Sequence, residues 1–381
     1  MTKATWHGLA EQMLMSADIK INGSRPWDIQ VHKPEFFERV FKYYSLGLGE
    51  AYMEGWWDCE QIDEFIFRIL NAKLDAQFLS NKKFLLAILM LKLRSFKSVL
   101  FNRQSQKRSL EVGRKHYDIG NDLYRCMLDQ NLNYTCGYWR NAQTLDDAQV
   151  AKMALTCEKL QIKPGMRLLD IGCGFGTFAK FAAENYGARV VGVTISKEQQ
   201  KLGLELCKNL PIEIRFLDYR NLDEKFDRIV SLGMFEHVGY KNYPTFMNTV
   251  AKCLVPDGLF LLHTIGTNVS SIQMDPWINR YIFPNSQLPS IAQIGKAIEP
   301  HFIMEDWHSF GLDYAKTLRA WHHNFTSNWH IIRKQDYDEK FYRMWTYYLL
   351  SSAGGFKAKC NQLWQVVLGK PSRLDGYISN R

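Results

Sequence analysis

Short apolar runs alternate with amphipathic stretches over the last two thirds of the chain. Leu168 and Leu169 lead through Asp170 into Ile171 and then a glycine-rich turn. Val190–Thr194, Glu213–Leu217, Asp227–Leu232, Leu259–His263 and Leu363–Leu368 are further short apolar runs. Each predicts a buried strand. Thr177–Asn185 and Glu198–Cys207, between such runs, predict helices. The alternation predicts an α/β domain with a mostly parallel sheet and helices on both faces. Ligands of such sheets bind beyond the carboxyl ends of the strands.

The first 80 residues have another pattern. A helix is expected from near Pro34, in Lys33-Pro34-Glu35-Phe36-Phe37. Gly47 to Asp58 interleaves glycines with Tyr52, Trp56 and Trp57, predicting close packing around a small aromatic core. Residues 1–80 therefore read as a compact helix-rich module with a short sheet. Residues 81–115 form a basic linker with ten Lys or Arg against the single acid Glu111. Large apolar side chains interleave with this charge, as in a helix lying in a membrane interface. The longest apolar run there, Phe84–Leu91, is too short to cross a bilayer, which takes about 20 residues. Residues 116–381 are left as the α/β domain.

Composition changes the picture in two ways. The 381 residues carry a formal charge of +9, which favours an anionic partner. No nucleic-acid module is present, so a membrane surface is the better candidate. The eight cysteines form no CxxC pair and no zinc spacing, and the N-terminus lacks the apolar core of a secretory signal. Reduced thiols, no metal and a cytoplasmic setting are expected.

The candidate chemistry begins at Asp170-Ile171-Gly172-Cys173-Gly174-Phe175-Gly176. Its third glycine comes one residue earlier than in the dinucleotide fingerprint. The loop resembles the S-adenosylmethionine loop of class I methyltransferases, in which Asp170, Gly172, Cys173, Gly174 and Gly176 would line the cofactor. After the second strand, Thr194, Ile195 and Gln199 stand where a ribose would be met. After the third, Asp218 would pair with the adenine amine and Tyr219 would cover its face. Tyr134 and Thr135 complete the cofactor set. Methyl transfer from a sulfonium needs neither metal nor nucleophile, only positioning and exclusion of water.

Four places bring polar groups to the strand ends: Asn133–Trp139, Met234–Gly239, His263–Gly266 and Gly311–Tyr314. With these motifs the chain resembles the bacterial cyclopropane-fatty-acyl-phospholipid synthases. The resemblance rests also on His116–Leu123, Asp275–Asn279, Tyr281–Pro284, Gln362–Val367, Ser45–Glu50 and Gly55–Trp57, and so covers nearly the whole chain. It implies a Rossmann-like domain with a seven-stranded sheet, and S-adenosyl-L-methionine as methyl donor. The acceptor it implies is the cis double bond of an unsaturated phospholipid acyl chain at the inner membrane face. It further implies a homodimer and a bound bicarbonate as base, held by Cys136, Glu236, His263, the backbone of Ile265, and Tyr314. Glu236 is expected to hold the ion through a shared proton, with His263 as a donor. Tyr134, Tyr138, Trp139 and Phe235 are candidates to steady a carbocation. Two positions depart from the family pattern: Phe175 replaces a common Trp, and Ser352 stands where some relatives carry a cysteine. An amine N-methyltransferase on the same scaffold, or a lipid-binding protein with an idle fold, are the competing readings.

Overall fold

The computed structural model describes residues 3–72, 121–335 and 337–381. The basic segment 81–115 and residues His116–Gly120 lie outside the described residues. The chain divides into two compact units. The first takes residues 3–72 together with Ile272–Pro284 and Ala315–Asn361. The second takes residues 121–271 with Asn285–Tyr314 and Gln362–Arg381. Two segments that the sequence places in 116–381 thus belong with the N-terminal residues.

In the first unit, strands β1 (Gln30–Val31) and β2 (Trp57–Asp58) pair antiparallel. The helix Phe36–Met53 begins two residues after Pro34 and is kinked at Tyr44, whose φ is 52°. Trp57 is fully buried, with its ring 5.1 Å from Tyr52, 5.2 Å from Phe65 and 6.0 Å from Phe36. This is the aromatic core that the Trp56-Trp57 pair predicts. The helix Glu339–Lys357 packs closely on the helix Ile62–Asn71. Gly354 permits the approach: a Cβ there would lie 2.6 Å from the Asp63 carbonyl oxygen. Arg343 of the same helix donates to Trp57 O at 2.9 Å and Asp58 Oδ1 at 2.7 Å, fixing β2.

The second unit is built on seven strands: β3 (Arg167–Ile171), β4 (Arg189–Thr194), β5 (Ile212–Phe216), β6 (Phe226–Leu232), β7 (Leu254–Thr267), β8 (Ile303–Ser309) and β9 (Asn361–Gly369). Their order is β5-β4-β3-β6-β7-β9-β8. The pairs β5–β4, β4–β3, β3–β6 and β6–β7 are parallel, and β8 runs antiparallel to β9. Alternate residues of each strand feed two cores. Leu168, Val190, Leu261 and Val367 face one, and Leu169, Val191, Leu262 and Val366 face the other. The chain turns from β3 to β4 on one side and returns to β6 on the other. The glycine loop after β3 therefore sits at the switch point, where a crevice opens. Strand β8 has no counterpart among the runs named above. At its start Ile303 is 50% and Met304 42% exposed, so no buried apolar run marks it.

Candidate active site

The glycine loop is locked to the sheet by its own backbone. Gly172 N–H and Cys173 N–H both donate to Val193 O on β4, at 2.9 and 3.1 Å. Gly172 has φ +82°, and a Cβ there would meet Met234 Cγ at 2.6 Å, so only glycine fits. Gly174 has φ +55°, and among the described residues nothing lies within 4 Å of where its Cβ would be. Gly176 caps the helix Thr177–Tyr186. A left-handed turn with open space at its apex, followed by a helix N-terminus, is a cradle for a ligand's backbone-facing side. Asp170, one residue before the end of β3, is buried, and its Oδ1 has no hydrogen-bond partner. Burial raises its pKa to about 7, with the Lys152 charge opposing the shift.

The other cofactor candidates fare unevenly. Thr194 Oγ1 donates to Gln199 Oε1 at 2.8 Å and accepts from Ser196 N–H. Its hydroxyl proton is therefore taken up within the loop, leaving the Gln199 amide nitrogen as the donor of that pair. Ile195 is only half-buried beside them, and Cys173 is buried. Asp218 is paired bidentately with Arg220, at 2.8 and 2.6 Å. Tyr219 departs from the expected role, since its ring packs edge-on to Phe246 at 5.2 Å within the core. Tyr134 lies 5.3 Å from the ring of Tyr124, which in turn lies 6.2 Å from that of Phe175 in the glycine loop.

Thr135 is held from below by a lysine. Lys152, fully buried in the helix Leu145–Lys159, donates to Asn133 Oδ1 at 3.1 Å and Thr135 Oγ1 at 3.0 Å. Burial lowers its pKa to about 8 against the opposing pull of Asp129, Cys136 and Asp170. Gln149 of the same helix donates to Thr135 O at 2.7 Å.

The acceptor side forms where β6 ends beside His263 of β7. Leu232 pairs with His263, and Gly233 N–H donates to His263 O at 2.9 Å. The chain then turns into the short helix Phe235–His237. Glu236 is buried there, and Ile265 N–H donates to its Oε1 at 2.7 Å. The Ile265 N–H is thus committed to Glu236. Glu236 Oε2 is buried without a partner. Burial raises the Glu236 pKa to about 7, against the Ile265 N–H. His263 is also buried; burial first, then the Lys152 and Lys159 charges, pushes its pKa well down, so it is neutral. Its Nε2 has no partner.

Of the five predicted residues, Glu236 and Ile265 are joined by this hydrogen bond, and His263 lies two residues before Ile265 on β7. Cys136 is buried and its thiol donates to Gly137 O at 3.1 Å. Tyr314, buried in the first turn of the helix Gly311–Ser327, follows Asp313, which accepts from Trp139 N–H at 2.8 Å. This bond joins the segment of Cys136 to the segment of Tyr314. Phe310 brings its ring to 6.0 Å from His263 and 5.3 Å from Tyr138, making the aromatic wall. Phe235 is not part of that wall: it is fully buried and stacks on Tyr243 at 4.2 Å. Lys152, Thr156, Phe310 and Gln365 are the site residues sequence reasoning missed. The one signal was a polar Gln365 inside the apolar run Leu363–Leu368.

Sheet order, glycine loop and rim define a class I methyltransferase fold. The family model described as mycolic acid cyclopropane synthetase matches residues 104–366. The cyclopropane-fatty-acyl-phospholipid synthase of Escherichia coli K12 is 52% identical over 365 residues, covering 96% of this chain and 94% of that protein. Mycolic acid cyclopropane synthase CmaA1, solved with SAH and CTAB, is 32% identical with a TM-score of 0.65, over 68% of this chain and 98% of that one. Coclaurine N-methyltransferase, at 22% identity and a TM-score of 0.67 over 85% of this chain and 99% of that one, shows the fold alone. The chain belongs to the cyclopropane synthase family, as its motifs imply, and is an enzyme of the methyltransferase class.

Proposed function

We propose that the chain converts cis double bonds of unsaturated phospholipid acyl chains to cyclopropanes, using S-adenosyl-L-methionine and a bound bicarbonate. The observation that carries this reading is the two buried, unpartnered atoms Glu236 Oε2, four residues past β6, and His263 Nε2, on β7 opposite the end of β6. A small oxyanion that both accepts and shares protons fits such a pair. The glycine cradle and the orphaned Asp170 Oδ1 fit the cofactor, with Gly172, Gly174, Gly176, Asp170, Gln199 and Asp218 as the residues that would hold it. When bound, S-adenosylmethionine supplies an electrophilic methyl on a sulfonium. An alkene offers it no hydrogen bonds, so the protein's part is to exclude water and receive a proton. Ring closure releases one proton from the added methyl. Neutral His263 does not compete for that proton when its free nitrogen is a donor, while Glu236, poised near pH 7, can pass it on. Tyr138 and Phe310 shield the positive charge.

The deciding experiment is fatty-acid analysis of cells expressing the chain. Monounsaturated acyl chains that gain one methylene, while soluble amines yield no S-adenosylhomocysteine with the purified enzyme, support the reading. Unchanged acyl chains overturn it. Ser352 lies in the helix Glu339–Lys357 of the first unit, and Ser352→Ala is expected to keep most of the activity. Activity lost in that variant, assayed on mixed phospholipid vesicles, would contradict the assignment.

The enzyme is proposed to work as a homodimer at the inner membrane surface. Among the described residues no helix is long and apolar enough to cross a bilayer. The ten basic residues of segment 81–115 supply the attraction, about 1 kcal/mol each near an anionic surface. Replacing Lys92, Arg94 and Lys97 together by glutamine should therefore weaken binding to anionic vesicles roughly tenfold or more at low salt. Co-sedimentation across a salt series checks this, and salt-insensitive binding would reassign it to apolar insertion.

A further inference from the structure

Behind His263 lies a chain of hydrogen bonds whose direction can be read from its far end. Thr156 Oγ1 donates to Lys152 O at 2.7 Å, the back-bond of a threonine to its own helix. A hydroxyl has one proton, so Thr156 Oγ1 can only accept from its other neighbour, Gln365 Nε2 at 3.1 Å. That contact fixes which end of the Gln365 amide faces inward. The same nitrogen lies 3.4 Å from His263 Nδ1. Its second hydrogen points to a ring nitrogen that must be bare. Gln365 Oε1 is left buried with no partner.

We infer that Gln365 is a positioning residue that, with Thr156, holds His263 in the tautomer carrying its proton on Nε2. Gln365 is fully buried on β9, and Thr156 is fully buried on the helix Leu145–Lys159. His263 Nε2 is buried with no acceptor on the protein. The network therefore presents one N–H donor and no acceptor at that point of the site. Such a group binds an oxyanion and cannot itself take the substrate's proton. The opposite tautomer would set Nδ1–H against the amide hydrogens and turn Nε2 into an acceptor, which repels an anion. The functional consequence rests on the bicarbonate reading above; the tautomer does not.

The two are separable by experiment. The full chain labelled with 15N-histidine is examined by long-range 1H–15N correlation in bicarbonate-free buffer, with His263 assigned by its loss in His263→Asn. The expected result is a single neutral tautomer protonated on Nε2. In Gln365→Met, an isosteric change without donors, the resonance should become a mixture of tautomers. Thr156→Val should do the same from two bonds away, by freeing Gln365 to rotate, and Thr156→Ser should restore the single tautomer. A wild-type ring protonated on Nδ1 overturns the inference. So does an Nε2–H tautomer that survives in every folded member of Gln365→Met and Thr156→Val. Activity assayed against added bicarbonate then tests the consequence. Loss of the fixed donor should raise the KM for bicarbonate roughly tenfold, the scale of one hydrogen bond, with the KM for S-adenosylmethionine unchanged. Tautomers that shift while bicarbonate dependence does not would support the tautomer assignment and overturn the bicarbonate reading.

Discussion

Glu236→Gln is expected to lower turnover about 10³-fold, the range of a lost proton-transfer group, while making the folded chain more stable at pH 8. Glutamine keeps the size of the side chain and can still accept from Ile265 N–H, whose bond to Oε1 measures 2.7 Å. It can neither take a proton nor pass one on. The stability gain follows from the same burial. The glutamate pKa is raised from 4.5 to about 7 in the folded chain. Between those values the folded state holds a proton that the unfolded state has released. Stability is thus full below pH 4.5 and declines as pH rises through 7. Above that pH the buried charge costs about 3 kcal/mol, since each tenfold change in proton affinity is worth about 1.4 kcal/mol. Glutamine does not incur this cost. Denaturant melts of the two proteins should diverge from pH 5 to 8 and run parallel above it. Turnover within tenfold of wild type would remove Glu236 from the proton path. A stability difference that ignores pH would remove the titration assigned to it.

The part of this site visible in the sequence is the part made by local rules. A strand, a turn that needs positive φ and a helix start must follow one another in the chain, so Asp170 to Gly176 is legible there. Glu236 and His263 are legible for a similar reason, since one lies four residues past the end of β6 and the other sits on β7 opposite that end. What escapes is decided by tertiary partners. Tyr219 and Phe235 sit beside charged motif residues and read as ligand contacts, yet Phe246 and Tyr243 draw both rings into the core. Thr194 and Gln199 read as two free polar groups and instead bond to each other. Strand β8 hides because its first residues are exposed at the edge of the sheet. The first unit hides because Ile272–Pro284 and Ala315–Asn361 return to the N-terminal residues from far along the chain. No periodicity in residues 1–80 announces that return. Substrate chemistry was legible only through the resemblance, since an alkene leaves no hydrogen-bonding signature in a sequence.

Lys152 is the case in which tertiary context has the largest consequence, and Lys152→Met is expected to cost the chain more stability at pH 7.5 than at pH 5.5, even though it also removes the cost of a buried ammonium whose pKa burial lowers to about 8. A lysine in the middle of a helix with little amphipathic bias reads as a solvated side chain. Here it is fully buried beneath the segment that carries Tyr134, Thr135 and Cys136. Its ammonium is the nearby positive charge that opposes the desolvation of both Asp129 and Asp170. Methionine fills the same volume, so the expected loss is electrostatic and not a cavity effect. Asn133 Oδ1 and Thr135 Oγ1 lose their donor at the same time. Asp129 retains the N–H groups of Asn131 and Asn133 and the Asn133 amide, and so tolerates the change. Asp170, with an unpartnered Oδ1, does not. The sign with pH follows from its raised pKa. At pH 5.5 the Asp170 carboxyl is neutral in the folded chain and needs no counter-charge. As pH rises through about 7 it must ionise next to Lys152, or remain protonated where Lys152 is missing. The deficit of the variant should therefore be larger at pH 7.5 than at pH 5.5, read as the difference in urea-unfolding free energy. Affinity for S-adenosylhomocysteine should fall with it, because Thr135, a candidate cofactor contact, loses its bond to Lys152. A deficit that does not grow between the two pH values would show that Asp170 is compensated by another group.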